Sequence, residues 1–343
     1  MTRKALSRVA SISLATTTVL LWLVYDTHAA NPDSNNSSNR LNHSKSSRAA
    51  FVPVNPKEGP KVNTDSSKLF YADSPDEPER TNKDDNDNNN NMRAWNCHGR
   101  NQRDLVDRMM QAKIVRTDSV QEVLNRVDRQ HYAPNNAQQQ SSPYMDSPQP
   151  IGLGQTISAP HMHAHVLEEI YPYLKASKTD SVKILDVGCG SGYLTAALGR
   201  WVAPQEQQGS ILDSTKTGHV YGIDIYPHLV DMTTRNMQKA DQDLLDQDIV
   251  SVQVSDGWKG LPEASPFDAI HVGAAAAEFP RALLQQLKVG GVLIIPVGPE
   301  GGVQNLYRVE RLGDGFTQDD FRITELLGVR YVPLVQQPPP RAD

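Results

Sequence analysis

Three histidines, a serine and a threonine fall within ten residues of QTISAPHMHAHVLEEI (155–170), where an amphipathic helix is expected to begin near His161. Such residue types admit a metal site, a nucleophile or a binding pocket. At i, i+2 and i+4, His161 and His165 share a helix face while His163 points elsewhere, so the convergence that zinc requires is missing. Cys97 and Cys189 stand in no zinc-type spacing and cannot build a disulfide framework, and no metal is expected. Ser158 sits in no G-x-S-x-G elbow, which argues against a hydrolase nucleophile. A pocket role stays open.

A second stretch, LDVGCGSGYLTAAL, follows a short apolar run and opens a helix. Gly188, Gly190 and Gly192 permit a tight turn and close approach of a ligand to the backbone, while the helix start offers unpaired N–H groups. The spacing is G-x-G-x-G, with Tyr193 where a dinucleotide loop would carry its third glycine. Asp186, directly before the loop, is awkward beside a pyrophosphate and well suited to an ammonium group. The ligand read from these residues is a nucleoside bearing an amino acid, which describes S-adenosylmethionine. Asp224 ends the next strand, where a carboxylate accepts from ribose hydroxyls, and Asp256, before Gly257, ends a third, where it or its backbone can read an adenine amino group. Asp224 lies farther on than the roughly 20 residues usual for a ribose acid, and the polar stretch APQEQQGSILDSTKTG reads as a loop insertion that accounts for it.

The elements that must position these groups alternate along the chain. VKILDVG, GHVYGIDI, IVSVQVSDG, FDAIHVGAA and VLIIPVG are apolar strand signals, and GYLTAALGRWV, PHLVDMTTRNMQKA and PRALLQQLKVGG are helical. Buried strands separated by helices imply a parallel sheet covered on both faces. NLYRVERLGDGFTQDDFRITELLGVRYVPL alternates around a Gly-Asp-Gly turn and adds antiparallel edge strands. Two helices precede the sheet in NQRDLVDRMMQAKIV and TDSVQEVLNRVDRQHYAP, the second capped by Asp118 or Ser119, and YMDSPQPIGLGQTISAP reads as a loop.

Composition divides the chain. Arg3, Lys4 and Arg8 precede VASISLATTTVLLWLVY, and small residues follow; residues 1–30 read as a secretory signal peptide, an uncleaved membrane anchor or an organellar transit peptide. Residues 31–98, rich in Asn, Asp, Ser and Pro, are expected to be disordered, with order from near Asn101; 99–336 form the globular domain and 337–343 a disordered tail. Asn35, Asn36 and Asn42 stand in N-x-[ST] sequons, which matter only in a secretory compartment. The 34 basic and 40 acidic residues, net charge -6, form no basic footprint for nucleic acid, and no nucleic-acid partner is expected.

SPYMDSPQPIGLGQTISAPHMHAHVLEEI, LDVGCGSGYLTAAL, FDAIHVGAAAAEFPRALLQQLKVGGVLIIPVGP and GVRYVPL together resemble the protein-L-isoaspartate (D-aspartate) O-methyltransferases, from about Asn101 to Leu334. The glycine loop alone would admit many methyltransferases; TISAPHMHA with YVPL is far more specific. The resemblance implies the doubly wound, Rossmann-like α/β fold of S-adenosylmethionine-dependent methyltransferases. It implies methyl transfer from S-adenosylmethionine to the free carboxylate of L-isoaspartyl and D-aspartyl residues in damaged proteins or peptides. It makes Ser158 the active-site residue, places Thr156, Ala159 and His163 in the acceptor pocket, and has Val329 and Tyr331 hold the peptide. Asp186, Gly188, Gly190, Gly192, Asp224, Asp256 and Gly257 would hold the cofactor. A cytosolic monomer is the family habit, from which the leader departs. Competing readings are a methyltransferase for another acceptor and a catalytically silent binding protein. Cys189 is expected to be packed; were it reachable, the helix start would lower its thiol pKa.

Overall fold

Apolar residues on successive positions of one strand can be buried only if both faces of the sheet are covered, and that is how the chain folds. The computed structural model describes residues 97–134, 142–204 and 216–336. Strands β1 (Gln149–Gly152) and β2 (Gln155–Ile157) form an antiparallel hairpin. Strands β3 (Ser181–Val187), β4 (Thr217–Asp224), β5 (Val250–Val254), β6 (Phe267–Val272), β7 (Leu287–Val297), β8 (Gln304–Arg311) and β9 (Phe321–Val329) form a seven-stranded sheet ordered β5-β4-β3-β6-β7-β8-β9. β5 through β7 are parallel; β8 and β9 add antiparallel pairs at one side, as the alternation around Gly313-Asp314-Gly315 predicts.

Helices α1 (Gln102–Gln111), α2 (Asp118–Arg126), α3 (Pro160–Ala176), α4 (Tyr193–Val202) and α5 (Pro227–Ala240) join one core, and α6 (Gln242–Asp246) adds Leu244 to it. That core takes Ile184, Ala269, Val292 and Ile294 from the sheet. The opposite core takes their neighbours Leu185, Ile270, Leu293 and Ile295, closed by Leu283 and Leu284 of α7 (Arg281–Gln286) and by Leu261. The two-residue period of a strand thus divides one apolar run between two cores. Trp201 is fully buried.

Several boundaries differ from expectation. Thr117, not Asp118 or Ser119, caps α2: its backbone is extended and its hydroxyl accepts from Val120 N at 3.3 Å, whereas Asp118 is already helical. The expected loop at 149–157 is the β1–β2 hairpin, turned through Gly152, Leu153 and Gly154, all at positive φ. LKVGG belongs to β7, not to the preceding helix, because a register irregularity lets the strand begin pairing at Leu287. Cys97 and His98, assigned to the disordered stretch, are ordered: Cys97 N donates to Asp146 Oδ2 and His98 Nδ1 accepts from Asp146 N. The leader, most of the Asn-rich segment, the tail and residues 205–215 of the supposed insertion lie outside the described residues. Among those described, no helix is long and apolar enough to cross a membrane.

Candidate active site

The sheet reverses its direction of growth between β3 and β6, which both neighbour pairs share, and a crevice opens there at the carboxyl ends of the parallel strands. Gly188 leaves β3 at φ 79° and Gly273 leaves β6, its N–H donating to Val187 O at 2.8 Å. A Cβ on Gly273 would come within 3.1 Å of Gly188 O, so the two strand ends meet backbone to backbone. Two adjoining chambers follow there.

The larger chamber is lined by Gly188, Gly190, Asp224, Tyr226, Ser255, Gly257 and Leu334 among others. Asp224 is buried at the end of β4; its Oδ2 accepts from Gly190 N at 3.1 Å and its Oδ1 from Tyr226 N at 3.0 Å. Burial raises its carboxyl pKa, against the pull of those amides. Asp256 is placed differently. Its Oδ1 accepts from Trp258 N at 3.0 Å and its Oδ2 pairs with Lys259 at 3.1 Å, so its neighbours Ser255 and Gly257 face the chamber instead. Gly192, at φ 92°, starts α4 away from both chambers, where a Cβ would lie 2.7 Å from Thr233 Cγ2.

The smaller chamber is lined by Thr156, Ser158, His163, Asp186, Tyr193 and His271 among others. Thr156, Gly188, Gly190 and Gly273 line both chambers, which therefore lie side by side. The β1–β2 hairpin carries Thr156, and Ser158 follows it directly into α3, whose Pro160 is preorganised for a first helical position. Ala159, fully packed, has no side chain to cap the helix. Asp146 does so from the preceding loop: its Oδ1 accepts from His161 N at 3.1 Å and pairs with His161 Nδ1 at 2.6 Å. Burial pushes the Asp146 carboxyl up, but His161 and two backbone amides outweigh it and hold the pKa below its ordinary value.

Tyr331 comes close to Ser158 from the C-terminal segment but lines neither chamber; burial pushes its phenol up to about 12, against the lowering effect of the Ser158 hydroxyl. Buried Gln304 holds Tyr331 in place, accepting from its N–H at 2.7 Å. Val329 ends β9 opposite Gln304 and packs against the core, outside both chambers. Asp186 is 1% exposed; its Oδ2 accepts from Thr195 Oγ1 at 2.6 Å and its Oδ1 pairs with His271 Nδ1 at 2.8 Å. Among the described residues no three His, Cys, Asp or Glu side chains converge as metal ligands.

The model of the family described as protein-L-isoaspartate(D-aspartate) O-methyltransferase (PCMT) matches residues 100–338. The chain belongs to that family. It is 43% identical over 234 residues to the protein-L-isoaspartate O-methyltransferase of Triticum aestivum, covering 68% of this chain and 90% of the relative. It is 34% identical to that of Caenorhabditis elegans, covering 71% of this chain and 96% of the relative. A structure from Plasmodium falciparum, described as a protein-L-isoaspartate O-methyltransferase in complex with S-adenosyl-L-homocysteine, superposes with a TM-score of 0.58 at 29% identity, covering 69% of this chain and 99% of that one.

Membership in the isoaspartyl methyltransferases directs attention to residues that sequence reasoning passed over. His271 stands in FDAIHVGAA, an apolar run in which one polar residue among core positions was the available signal. Its register partner on β3 is Asp186, which explains the pair. Arg129 gave no signal, being one of many charged residues on a short helical stretch, yet it is 0% exposed behind Ser158 and His163. Cys189 is buried in the glycine loop, and burial, with Asp224 and Asp186 nearby, pushes its thiol well up. The lowered thiol expected from a helix start is overridden by desolvation and two carboxylates.

Proposed function

We propose that Ser158, with Tyr331 beside it, orients the free carboxylate of an isoaspartyl residue in the smaller chamber, against a cofactor whose adenosine lies in the larger one. Isoaspartyl O-methyltransfer to damaged proteins and peptides is the activity of the family to which the chain belongs. The residues present fit the cofactor: the positive-φ Gly188 and Gly190 leave room for close approach, and Asp224 is a buried carboxylate facing the chamber at the ribose position. When bound, S-adenosylmethionine supplies a methyl group on a sulfonium: a carboxylate oxygen bonds to the methyl carbon, the C–S bond breaks, and its electron pair stays on sulfur.

No proton moves in that step, so the chain needs no strong base; an acceptor carboxylate of pKa near 3 to 4 is already ionised at neutral pH. The Ser158 hydroxyl, which otherwise interacts with Tyr331, turns to donate to it and fixes its approach. Ser255 and Gly257 backbone would read the adenine, with Asp256 shaping their turn. Asp186, held by Thr195 and His271, brings negative charge to the amino-acid end. Gly192 supports the loop by packing on Thr233, and Ala159 packs the acceptor wall.

The observation that carries this reading is that the two chambers adjoin at Thr156, Gly188, Gly190 and Gly273, with Ser158 lining one and Asp224 the other. The test is a vapour-diffusion methanol assay with an isoaspartyl peptide, its normal aspartyl twin and methyl-labelled S-adenosylmethionine. Label on the isoaspartyl peptide alone is expected; equal labelling of the twins, or none, would overturn the reading. The apolar stretch after Arg8 supports a secretory or membrane-anchoring leader in residues 1–30, and the catalytic unit is read as a monomer. Sequencing the mature N-terminus of tagged full-length protein, and light scattering on it, test both.

A further inference from the structure

Arg129 is 0% exposed, yet no carboxylate among the described residues stands within ion-pairing distance of it, and its Nε–H has no hydrogen-bond partner there. A buried guanidinium that Asp146 stabilises only from beyond ion-pairing distance is costly and calls for an explanation. Its two terminal nitrogens are engaged. One donates to Ser158 O at 2.8 Å; the other stands 3.4 Å from His163 Nδ1. Its own N–H donates to Gln102 Oε1 at 3.1 Å, and its guanidinium lies 5.5 Å from the Tyr193 ring centroid. The Tyr193 and His163 rings are in turn 5.0 Å apart.

A guanidinium can donate and cannot accept. The imidazole nitrogen facing it must therefore carry a lone pair. We infer that Arg129 is a positioning residue of the acceptor site: it fixes His163 as the Nε2–H tautomer and anchors the Ser158 carbonyl, so that His163 presents an N–H donor to the acceptor carboxylate. This rests on the acceptor reading of the smaller chamber. The groups facing His163 are Arg129, Tyr193 of α4, His271 of β6 and His161 of its own helix; the described residues set no carboxylate against it. Burial, then Arg129, then the two histidines hold its pKa well below the ordinary value, while burial lowers Arg129 only to about 10, so the arginine keeps the charge and the histidine stays neutral. A neutral donor aligns a carboxylate without pairing it off with a full positive charge, which would stabilise the nucleophile before reaction.

Nitrogen-15 NMR of the histidine rings in the unliganded, full-length protein, with His163 assigned through His163→Gln, reads the tautomer without substrate. The expected result is an Nε2–H ring that does not titrate between about pH 5.5 and 8. An Nδ1–H ring, or titration in that window, would overturn the inference. Arg129→Met should lower kcat about tenfold while KM for S-adenosylmethionine changes less than about twofold. In a double-mutant cycle, Arg129→Met should add little to His163→Gln, because the first acts through the second; additive losses would show a merely structural role. Arg129→Lys, which keeps the charge but cannot bridge both partners, guards against misfolding and should retain the low histidine pKa with reduced kcat. An Nε2–H ring in a protein that fails the methanol assay would refute the acceptor reading and leave the tautomer standing.

Discussion

At the scale of single residues, the proposal puts Ser158 on the acceptor side and Asp224 on the cofactor side, and substitutions tell the two apart. Ser158→Ala removes one hydroxyl from a charged acceptor, a loss of about 1.5–3 kcal/mol or roughly ten- to a hundredfold in kcat. Cofactor affinity should stay within about twofold, as steady-state kinetics with varied S-adenosylmethionine would measure. Asp224→Ala has the opposite signature, weakening cofactor binding by a similar 1.5–3 kcal/mol or so in calorimetric titration. Asp256→Ala should weaken it less, because its carboxylate caps Trp258 N and pairs with Lys259. A larger loss from Asp256 than from Asp224 would reverse this assignment. The acids at three strand ends were legible as a set, but which of them faces a ligand depends on side-chain direction, and spacing carries no information on that.

At the scale of elements, α4 begins where it does because Gly192 adopts φ 92° with Thr233 of α5 directly beneath it. Gly192→Ala combines a left-handed backbone penalty of about 1–2 kcal/mol with a Cβ 2.7 Å from Thr233 Cγ2. Urea denaturation should show a loss greater than about 1 kcal/mol, of which Thr233→Ser recovers the steric share but not the backbone share. Full recovery would mean the backbone carries no strain there. Helix α3 shows what local rules miss: its first turn is held by Asp146, from another loop, where Ala159 offers nothing. The β1–β2 hairpin escaped notice for a related reason, since three- and four-residue strands bracketing Gly152 and Gly154 carry too short a pattern to distinguish from a loop.

At the scale of the whole molecule, one buried and one half-buried histidine give stability a pH dependence. Burial holds the pKa of both His163 and His165 down, joined by Arg129, His271 and His161 at the first and by Arg116 and His161 at the second, against the opposing pull of Glu169 and Glu168 on His165. Unfolded histidine titrates near 6.5, so below that pH the unfolded chain binds protons that the folded one refuses, and stability falls as pH falls. Each contributes a slope of at most about 1.4 kcal/mol per pH unit in that window. Paired carboxylates such as Asp146 and Asp243, whose folded values are lowered, act separately, below about pH 4. Urea midpoints at pH 7.5 and 5.5 test this; equal stability at the two would refute it.

The order of strands and helices and the glycine loop were readable because each rests on local periodicity or on backbone freedom at named glycines, whereas the role of the TISAP segment came from its resemblance to the isoaspartyl methyltransferases. Family membership followed from the same residues. The pairing of Asp186 with His271, the burial of Arg129 behind His163, and the meeting of Tyr331 with Ser158 were not readable, because each joins residues far apart in the chain. Those contacts exist only once the sheet reverses between β3 and β6 and the C-terminal segment returns across the strand ends. Proximity through a fold, unlike propensity, is a property of the packed cores that bring the strands together.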